Sequence, residues 1–104
     1  MPENRLRVLV RWRFSAAYFQ VSQEEQGKLF AEAGQIRERW KAAGARLVGD
    51  WTGGAVDGFR HYDLWEVPDL DMAVQLGSDW FRAETRKYID IEFHMGSASA
   101  PDPS

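Results

Sequence analysis

A chain of 104 residues, 44% hydrophobic and 28% charged, has the size and composition of one small globular domain. The absence of cysteine excludes disulfides, thiolate metal sites and cysteine nucleophiles, and it fits a cytoplasmic location. A net charge of −3 argues against a nucleic-acid partner, because such proteins are usually basic. No apolar run approaches the ~20 residues of a membrane helix. The N-terminus also lacks the apolar core of a signal peptide, so we expect no membrane partner.

The first predicted element is a strand over Leu6–Phe14, in which apolar and basic residues alternate. Its apolar set at even positions must face the helices. The opposite face then carries Arg7, Leu9, Arg11 and Arg13. Residues 15–21 (SAAYFQV) are predicted as a loop with exposed aromatic character.

A helix is predicted to follow, because Ser22 and Glu25 have the spacing of a capping box. Gly44 is placed to end it. Between them runs one continuous apolar stripe, formed by Leu29, Ala33, Ile36, Trp40 and Ala43.

The second half predicts strand, hairpin, strand, helix and strand. Strands over Arg46–Thr52 and 59–67 flank a glycine-rich loop at 53–58. Asp69 or Asp71 can cap a second helix, which 77–79 (GSD) could interrupt. Its apolar stripe comprises Ala73, Leu76, Trp80 and Ala83. Residues 89–95 alternate as a fourth strand.

This element order predicts a ferredoxin-like α+β fold, βαββαβ. Its four-stranded antiparallel sheet has the order 4-1-3-2, with two helices on one face. We expect a single domain over 1–96 and a disordered tail over 97–104, which is small, polar and proline-containing.

The decisive feature is the sheet face that the helices leave uncovered. Strand three is mixed on both faces. Burying His61 and Asp63 without evident partners is costly, so Tyr62 and Leu64 are predicted to face the helices. The opposite face then carries Arg11, Arg13, His61, Asp63, Trp65, Glu92 and His94. This face is either solvated, with weak surface ion pairs, or covered by a second subunit in a homodimer.

At this point the pattern resembles the dimeric α+β-barrel superfamily. The resemblance rests on RVLVRWRF, SQEEQGKLFAEAGQIRERW, HYDLWEVPDLDMA and SDWFRAETRKYIDIEFHMG. Its members include cofactor-independent antibiotic-biosynthesis monooxygenases, polyketide cyclases, muconolactone isomerase-like proteins and EthD-like proteins. The resemblance implies a dimeric barrel whose sheets meet face to face with the helices outside. It transfers no catalytic residue, because none of the catalytic signatures is present.

Three residues are the candidate catalytic set. His61 has an ordinary pKa near neutrality, at about 6.5, and suits general acid/base chemistry. Asp63, two positions along the same strand, could orient its imidazole. Arg11 could stabilise a developing oxyanion by charge-assisted hydrogen bonds, or could instead form an interface ion pair with Glu92.

The remaining candidates would bind a small-molecule substrate. Trp65 and Trp51 could form a flat aromatic wall, and Tyr18 could act as a lid or tuck into the core. Arg13, Glu92 and His94 complete the candidate substrate-binding set. No phosphate loop or compact metal motif is present, so we expect no cofactor and no metal.

Three functions stay open. The favoured one is a small cofactor-independent enzyme, an oxygenase, isomerase, cyclase or lyase, acting on an aromatic or polyketide-like molecule. A non-catalytic small-molecule-binding or accessory protein is the first alternative. The second is a metal- or haem-dependent enzyme of the same fold, in which two histidines and a carboxylate could bind a metal.

Overall fold

The computed structural model describes residues 6–53 and 58–97, which form one sheet and its two covering helices. Two short 3₁₀ helices, Ala16–Gln20 and Glu84–Tyr88, complete the chain path. The main elements are β1 (Leu6–Phe14), α1 (Gln23–Ala42), β2 (Arg46–Thr52), β3 (His61–Val67), α2 (Leu70–Arg82) and β4 (Ile89–Ser97). The predicted ferredoxin-like α+β fold is confirmed.

The sheet is antiparallel throughout, with the order β2-β3-β1-β4. This is the predicted order read from the other edge. β1 lies between β3 and β4, so its two faces set the faces of its neighbours. Val10, for example, pairs with Asp63 on one side and with Phe93 on the other.

Both α-helices begin at side-chain caps that the sequence predicts. The Ser22 hydroxyl accepts a hydrogen bond from the Glu25 backbone N–H at 3.1 Å. Asp69, one of the two predicted alternatives, accepts from the Met72 N–H at 2.9 Å. Gly44 has a positive φ of 107°, the conformation that ends a helix at its C′ position.

Three local predictions need correction. α2 runs through residues 77–79 without a break, because a single helical glycine costs only about 1 kcal/mol. β3 begins at His61, two residues later than predicted. Most of the predicted loop at 15–21 is 3₁₀ helix.

The core between the helices and the sheet is built around Trp40, Trp65 and Trp80, each at most 4% exposed. The Trp40 ring meets those of Trp65 and Trp80 edge to face, with centroids 5.1 and 6.2 Å apart. Its Nε1 donates to Asp79 Oδ2 at 2.9 Å, which satisfies the buried N–H. These three tryptophans come from α1, the sheet and α2 in turn, and their contacts hold the three together.

The face assignment for β3 was wrong. His61, Asp63 and Trp65 pair with Trp12, Val10 and Val8, and they share the helix-facing side of the sheet. Trp65 is fully buried and Asp63 is 5% exposed. The predicted helix-facing residues Tyr62 and Leu64 lie on the other side, in register with Arg11 and Leu9.

The physical reason is a balance between two burial energies. A fully buried tryptophan removes about 200 Å² from water, which is worth roughly 5 kcal/mol. Burying Asp63 raises its pKa from an ordinary 3.8 to about 6, a change that corresponds to about 3 kcal/mol for the ionised group. Turning Trp65 and Val67 inward therefore outweighs the cost of carrying Asp63 with them.

Some predictions fall on residues outside the described ranges. They are the centre of the glycine-rich loop, 54–57, and all but the first residue of the predicted tail, where Ser97 ends β4. Within the described ranges, neither helix has the length and apolar character to cross a membrane.

The Trp40→Ala variant is expected to lose about 3–5 kcal/mol of unfolding free energy, the usual cost of emptying a large aromatic from a core. Urea denaturation followed by tryptophan fluorescence measures this loss. Val74 lies on α2 and is 54% exposed, so Val74→Ala is the control, with a change within about 0.5 kcal/mol. Equal urea midpoints for Trp40→Ala and Val74→Ala would contradict the assignment of the buried face of α1.

Candidate functional site

The uncovered face of the sheet carries a charged cluster on β1 and β4. Arg11 Nη2 and Nε donate to Glu92 Oε2 at 2.6 and 3.2 Å. His94 Nε2 lies 3.0 Å from the same oxygen. Hydrogen bonds from Arg11 and His94 lower the pKa of Glu92. This carboxylate therefore stays ionised and is the common hydrogen-bond partner of Arg11 and His94.

The same face has an aromatic patch on β2 and β3. Trp51 is 47% exposed and stacks on Tyr62, with ring centroids 5.5 Å apart and an interplanar angle of 6°. Leu64 and Leu9 are paired beside it. The uncovered face thus combines exposed apolar surface with ordered ion pairs.

Asp63 lies on the helix-facing side, where burial is the main cause of its pKa of about 6. Arg37 of α1 opposes that rise, with its Nη2 3.7 Å from Asp63 Oδ1. Asp50 adds to the rise through its like charge, and it shares Arg37 as a partner at 3.0 Å. This carboxyl therefore reaches its titration midpoint in mildly acidic solution rather than in the ordinary range of an aspartate.

Asp63 opens into an apolar cleft of about 90 Å³ between α1 and the sheet, hereafter the Asp63 cleft. Trp80 Nε1 and Arg37 Nε are buried and have no hydrogen-bond partner among the described residues. The cleft is lined by Trp12, Phe14, Asp63 and Ile89 from the sheet, Leu29, Phe30, Ala33, Gly34 and Arg37 from α1, and Trp80 and Thr85.

A larger cleft of about 500 Å³, hereafter the His61 cleft, lies at the end of the sheet where β3 begins. The His61 ring stacks on Trp12 at 4.1 Å, and its Nδ1 lies 3.4 Å from the Thr52 hydroxyl. Burial, followed by the charge of Arg60, lowers the pKa of His61. The lining residues are Arg13, Phe14, Phe19, Thr52, Gly58, Arg60 and His61.

The predicted catalytic set is divided between the two faces. Arg11 lies on the uncovered face, whereas His61 and Asp63 face the helices, so these three side chains do not line one cavity. The catalytic proposal built on that shared cavity therefore fails.

The predicted substrate-binding residues are also scattered. Trp65 is in the core, while Trp51, Glu92 and His94 share the uncovered face. Arg13 donates to Asp90 at 3.0 Å and also lines the His61 cleft. The Tyr18 ring stacks on Phe14, with centroids 3.9 Å apart, near the rim of that cleft.

Sequence reasoning missed two residues that complete the clefts, Arg37 and Arg60. Arg37 follows Ile36 at the edge of the apolar stripe of α1, and a basic residue at that position was an available signal for a buried acidic partner. No local pattern marks Arg60, because most of the residues that line the His61 cleft with it come from distant parts of the chain.

Within the described residues, no group of three or more histidine and acidic side chains could hold a metal ion. His61 and His94 lie on opposite faces of the sheet. The set of two histidines and a carboxylate considered from the sequence is therefore not formed.

No protein-family model and no curated protein sequence matches the chain. Solved structures do share its fold. A mutant chlorite dismutase from Candidatus Nitrospira defluvii has a TM-score of 0.80 and 12% identity, and the match covers 98% of this chain and 43% of that one. The same enzyme in complex with imidazole gives a TM-score of 0.79 at 12% identity, with coverages of 98% and 43%.

A novel heme-binding protein from Thermus thermophilus gives a TM-score of 0.74 at 14% identity, covering 92% of this chain and 40% of that one. The chain therefore spans less than half the length of these proteins. At such identities the likeness establishes the ferredoxin-like fold.

These neighbours correct the functional expectation. The predicted cofactor-independent enzyme acting on an aromatic or polyketide-like molecule is wrong, because the solved structures that share the fold include chlorite dismutases and a heme-binding protein. The narrower resemblance to cofactor-independent monooxygenases and EthD-like proteins is not supported.

Asp63→Asn is expected to stabilise the protein above pH 6. The native carboxyl has a pKa of about 6 against an ordinary 3.8, so the folded state binds more protons than the unfolded state between these values. Stability therefore falls as pH rises through this window. Asparagine cannot ionise, so the variant should gain about 2–3 kcal/mol at pH 7.5 and almost nothing at pH 3.5.

Denaturant titrations across pH 3.5–8 measure the difference between the two proteins. Asp90→Asn is the matched control, because the Asp90 side chain is 48% exposed and should change stability by less than about 1 kcal/mol. A difference that does not vary with pH would contradict the burial of an ionisable Asp63.

Proposed function

We propose that this chain is a haem-binding protein in which His61 would bind the haem iron. The observation that carries the proposal is the imidazole of His61 in the lining of a cleft of about 500 Å³. Of the two ring nitrogens of His61, only Nδ1 has a hydrogen-bond partner among the described residues, and that partner is the Thr52 hydroxyl. Imidazole binds iron in its neutral form, and a partner on the second ring nitrogen fixes its orientation.

The residues around the His61 cleft fit the chemistry of haem. Its volume of about 500 Å³ falls within the roughly 300–1,000 Å³ of typical ligand sites. Phe14 and Phe19 offer apolar surface to the haem macrocycle. Arg13 and Arg60 are suited to hydrogen-bond the carboxylate side chains of haem. The Asp63 cleft is the poorer candidate, because it is about 90 Å³ and none of its lining residues is a histidine, methionine or tyrosine.

The roles of the chain's residues follow from these positions. Stacking on Trp12 and the contact with Thr52 hold the His61 ring. The depressed pKa keeps its nitrogen unprotonated at neutral pH. When bound, haem would supply redox chemistry at its iron. The fold neighbours support this class of cofactor, since one is a heme-binding protein and another binds imidazole.

Haem titration followed by absorption spectroscopy tests the proposal. We expect the wild-type protein to shift the Soret band with 1:1 stoichiometry. His61→Ala should weaken binding by at least about 100-fold, because even the outer partners of a metal ligand contribute roughly 10–100-fold. Binding should also weaken as pH falls through the pKa of His61, which burial lowers from its ordinary value, because only the neutral imidazole binds iron.

His94→Ala is the matched control, since His94 lies on the other face and is 57% exposed. It should bind haem like the wild type. A wild-type protein that leaves the Soret band unchanged would contradict the proposal, as would equal affinities in the two histidine variants. Chlorite turnover by the haem-loaded protein tests separately whether it is an enzyme.

We also propose that the chain forms a homodimer through the uncovered face of the sheet. The exposed Trp51–Tyr62 stack and the Leu9–Leu64 pair would gain from burial. The arginines of β1 beside the acids of β4 supply both charges of a self-complementary contact. The fold neighbours have chains more than twice as long as the matched region, which is consistent with a second copy covering this face.

Sedimentation at micromolar concentration should give the mass of a dimer. Leu64→Glu should convert it to a folded monomer, because a charge in the centre of the interface is left unpaired. Val74→Glu places the same charge on the exposed face of α2 and should remain dimeric. A wild-type monomer at micromolar concentration would contradict the proposal.

A further inference from the structure

The Asp63 cleft is a second cavity, separate from the one proposed for haem. Trp12 lines the Asp63 cleft and stacks on His61, and Phe14 lines both clefts. The lining of the Asp63 cleft is largely aromatic and aliphatic, yet three polar groups are buried there. Each of those groups has a desolvation cost that a complementary ligand would relieve.

Two of these groups are donors without partners. Trp80 is 4% exposed and its Nε1 has no acceptor among the described residues. The Nε of Arg37 is in the same situation, although its Nη2 contacts Asp50 and Asp63. Unsatisfied buried N–H groups are uncommon in native proteins and call for an explanation.

The third group, Asp63, is an acceptor that is 5% exposed. An anionic ligand would be repelled by Asp63 and Asp50. A cationic ligand, although attracted by these acids, would be repelled by Arg37 and would leave both N–H donors without an acceptor. A neutral ligand carrying an acceptor next to a donor meets neither repulsion. It would accept from the indole or guanidinium N–H and donate to the carboxylate.

Volume narrows the class of ligand further. The cleft measures about 90 Å³, three times the ~30 Å³ that one water molecule occupies in the liquid. This is room for a head group of about four heavy atoms. Phe30 lines the cleft and is 64% exposed, so a larger molecule could extend past its ring towards solvent.

We propose that the Asp63 cleft binds a primary carboxamide, either as a small molecule or as the head group of a larger ligand. The carbonyl oxygen accepts from Trp80 Nε1, and the amide N–H₂ donates to Asp63. The aromatic lining excludes water from these bonds.

Acetamide is the probe, and the tryptophan indole N–H signals in a proton–nitrogen correlation spectrum are the readout. The chain has five tryptophans, so five such signals are expected, and Trp80→Phe identifies the one from Trp80 by its loss. Acetamide should shift that signal saturably. Acetate and N,N-dimethylacetamide should not, because the first is anionic and the second has no N–H donor.

Gly34 provides a blocking variant. It lines the Asp63 cleft, and a Cβ built on it has no atom within 4 Å, so Gly34→Leu can project into the cleft without a backbone clash. Gly27→Leu is the matched control, because Gly27 is also on α1 with open space but lies outside the cleft. Both substitutions favour the helix.

The Gly34→Leu variant should weaken acetamide binding at least tenfold, and Gly27→Leu should leave it unchanged. Trp80→Phe removes one neutral hydrogen bond and should weaken it about three- to tenfold, measured on the remaining signals. An unmoved Trp80 signal, an equal response to acetate, or equal affinities in the two leucine variants would overturn the proposal. None of these results depends on whether haem binds at His61.

Discussion

The inward orientation of Trp65 is the constraint on which the rest of the molecule depends. Because side chains alternate along a strand, this one choice sends Val67, Asp63 and His61 to the same side. Trp65 then completes the contact with Trp40 and, through it, with Trp80. The two candidate clefts exist because the strand that fills the core also carries an acid and an imidazole into the helix layer.

The main free-energy cost of that arrangement is the burial of the Asp63 carboxyl, and the groups around Asp63 reduce this cost. Arg37 contacts the carboxyl from α1, and the pKa of about 6 lets a proton neutralise it under mildly acidic conditions. The pKa of His61 shifts in the opposite direction, because burial and the charge of Arg60 lower it and favour the neutral ring. Two groups on one strand face are thus both shifted towards their uncharged forms, as expected for partial burial.

The uncovered face has a different character, with its charges paired and ionised. Arg11, Glu92 and His94 form a cluster that needs no partner from another subunit to be satisfied. The apolar Trp51–Tyr62 stack beside it is not covered by the rest of the chain, since Trp51 is 47% exposed. The proposed binding of small molecules and the proposed self-association therefore concern opposite sides of one sheet, and the experiments address them independently.

The sequence by itself determined the element order, both helix caps, the faces of β1, α1 and β4, and hence the ferredoxin-like fold. In these segments the apolar period is unambiguous and each local signal agrees with the next. β3 was different, because HYDLWEV has apolar residues on both faces. The alternation along this strand therefore cannot show which face is buried. Only the tertiary structure decided its orientation, since the gain from packing Trp65 against Trp40 and the partner that Arg37 gives Asp63 both come from α1. The candidate site followed from that decision, which is why its residues could be found in the sequence but not correctly grouped.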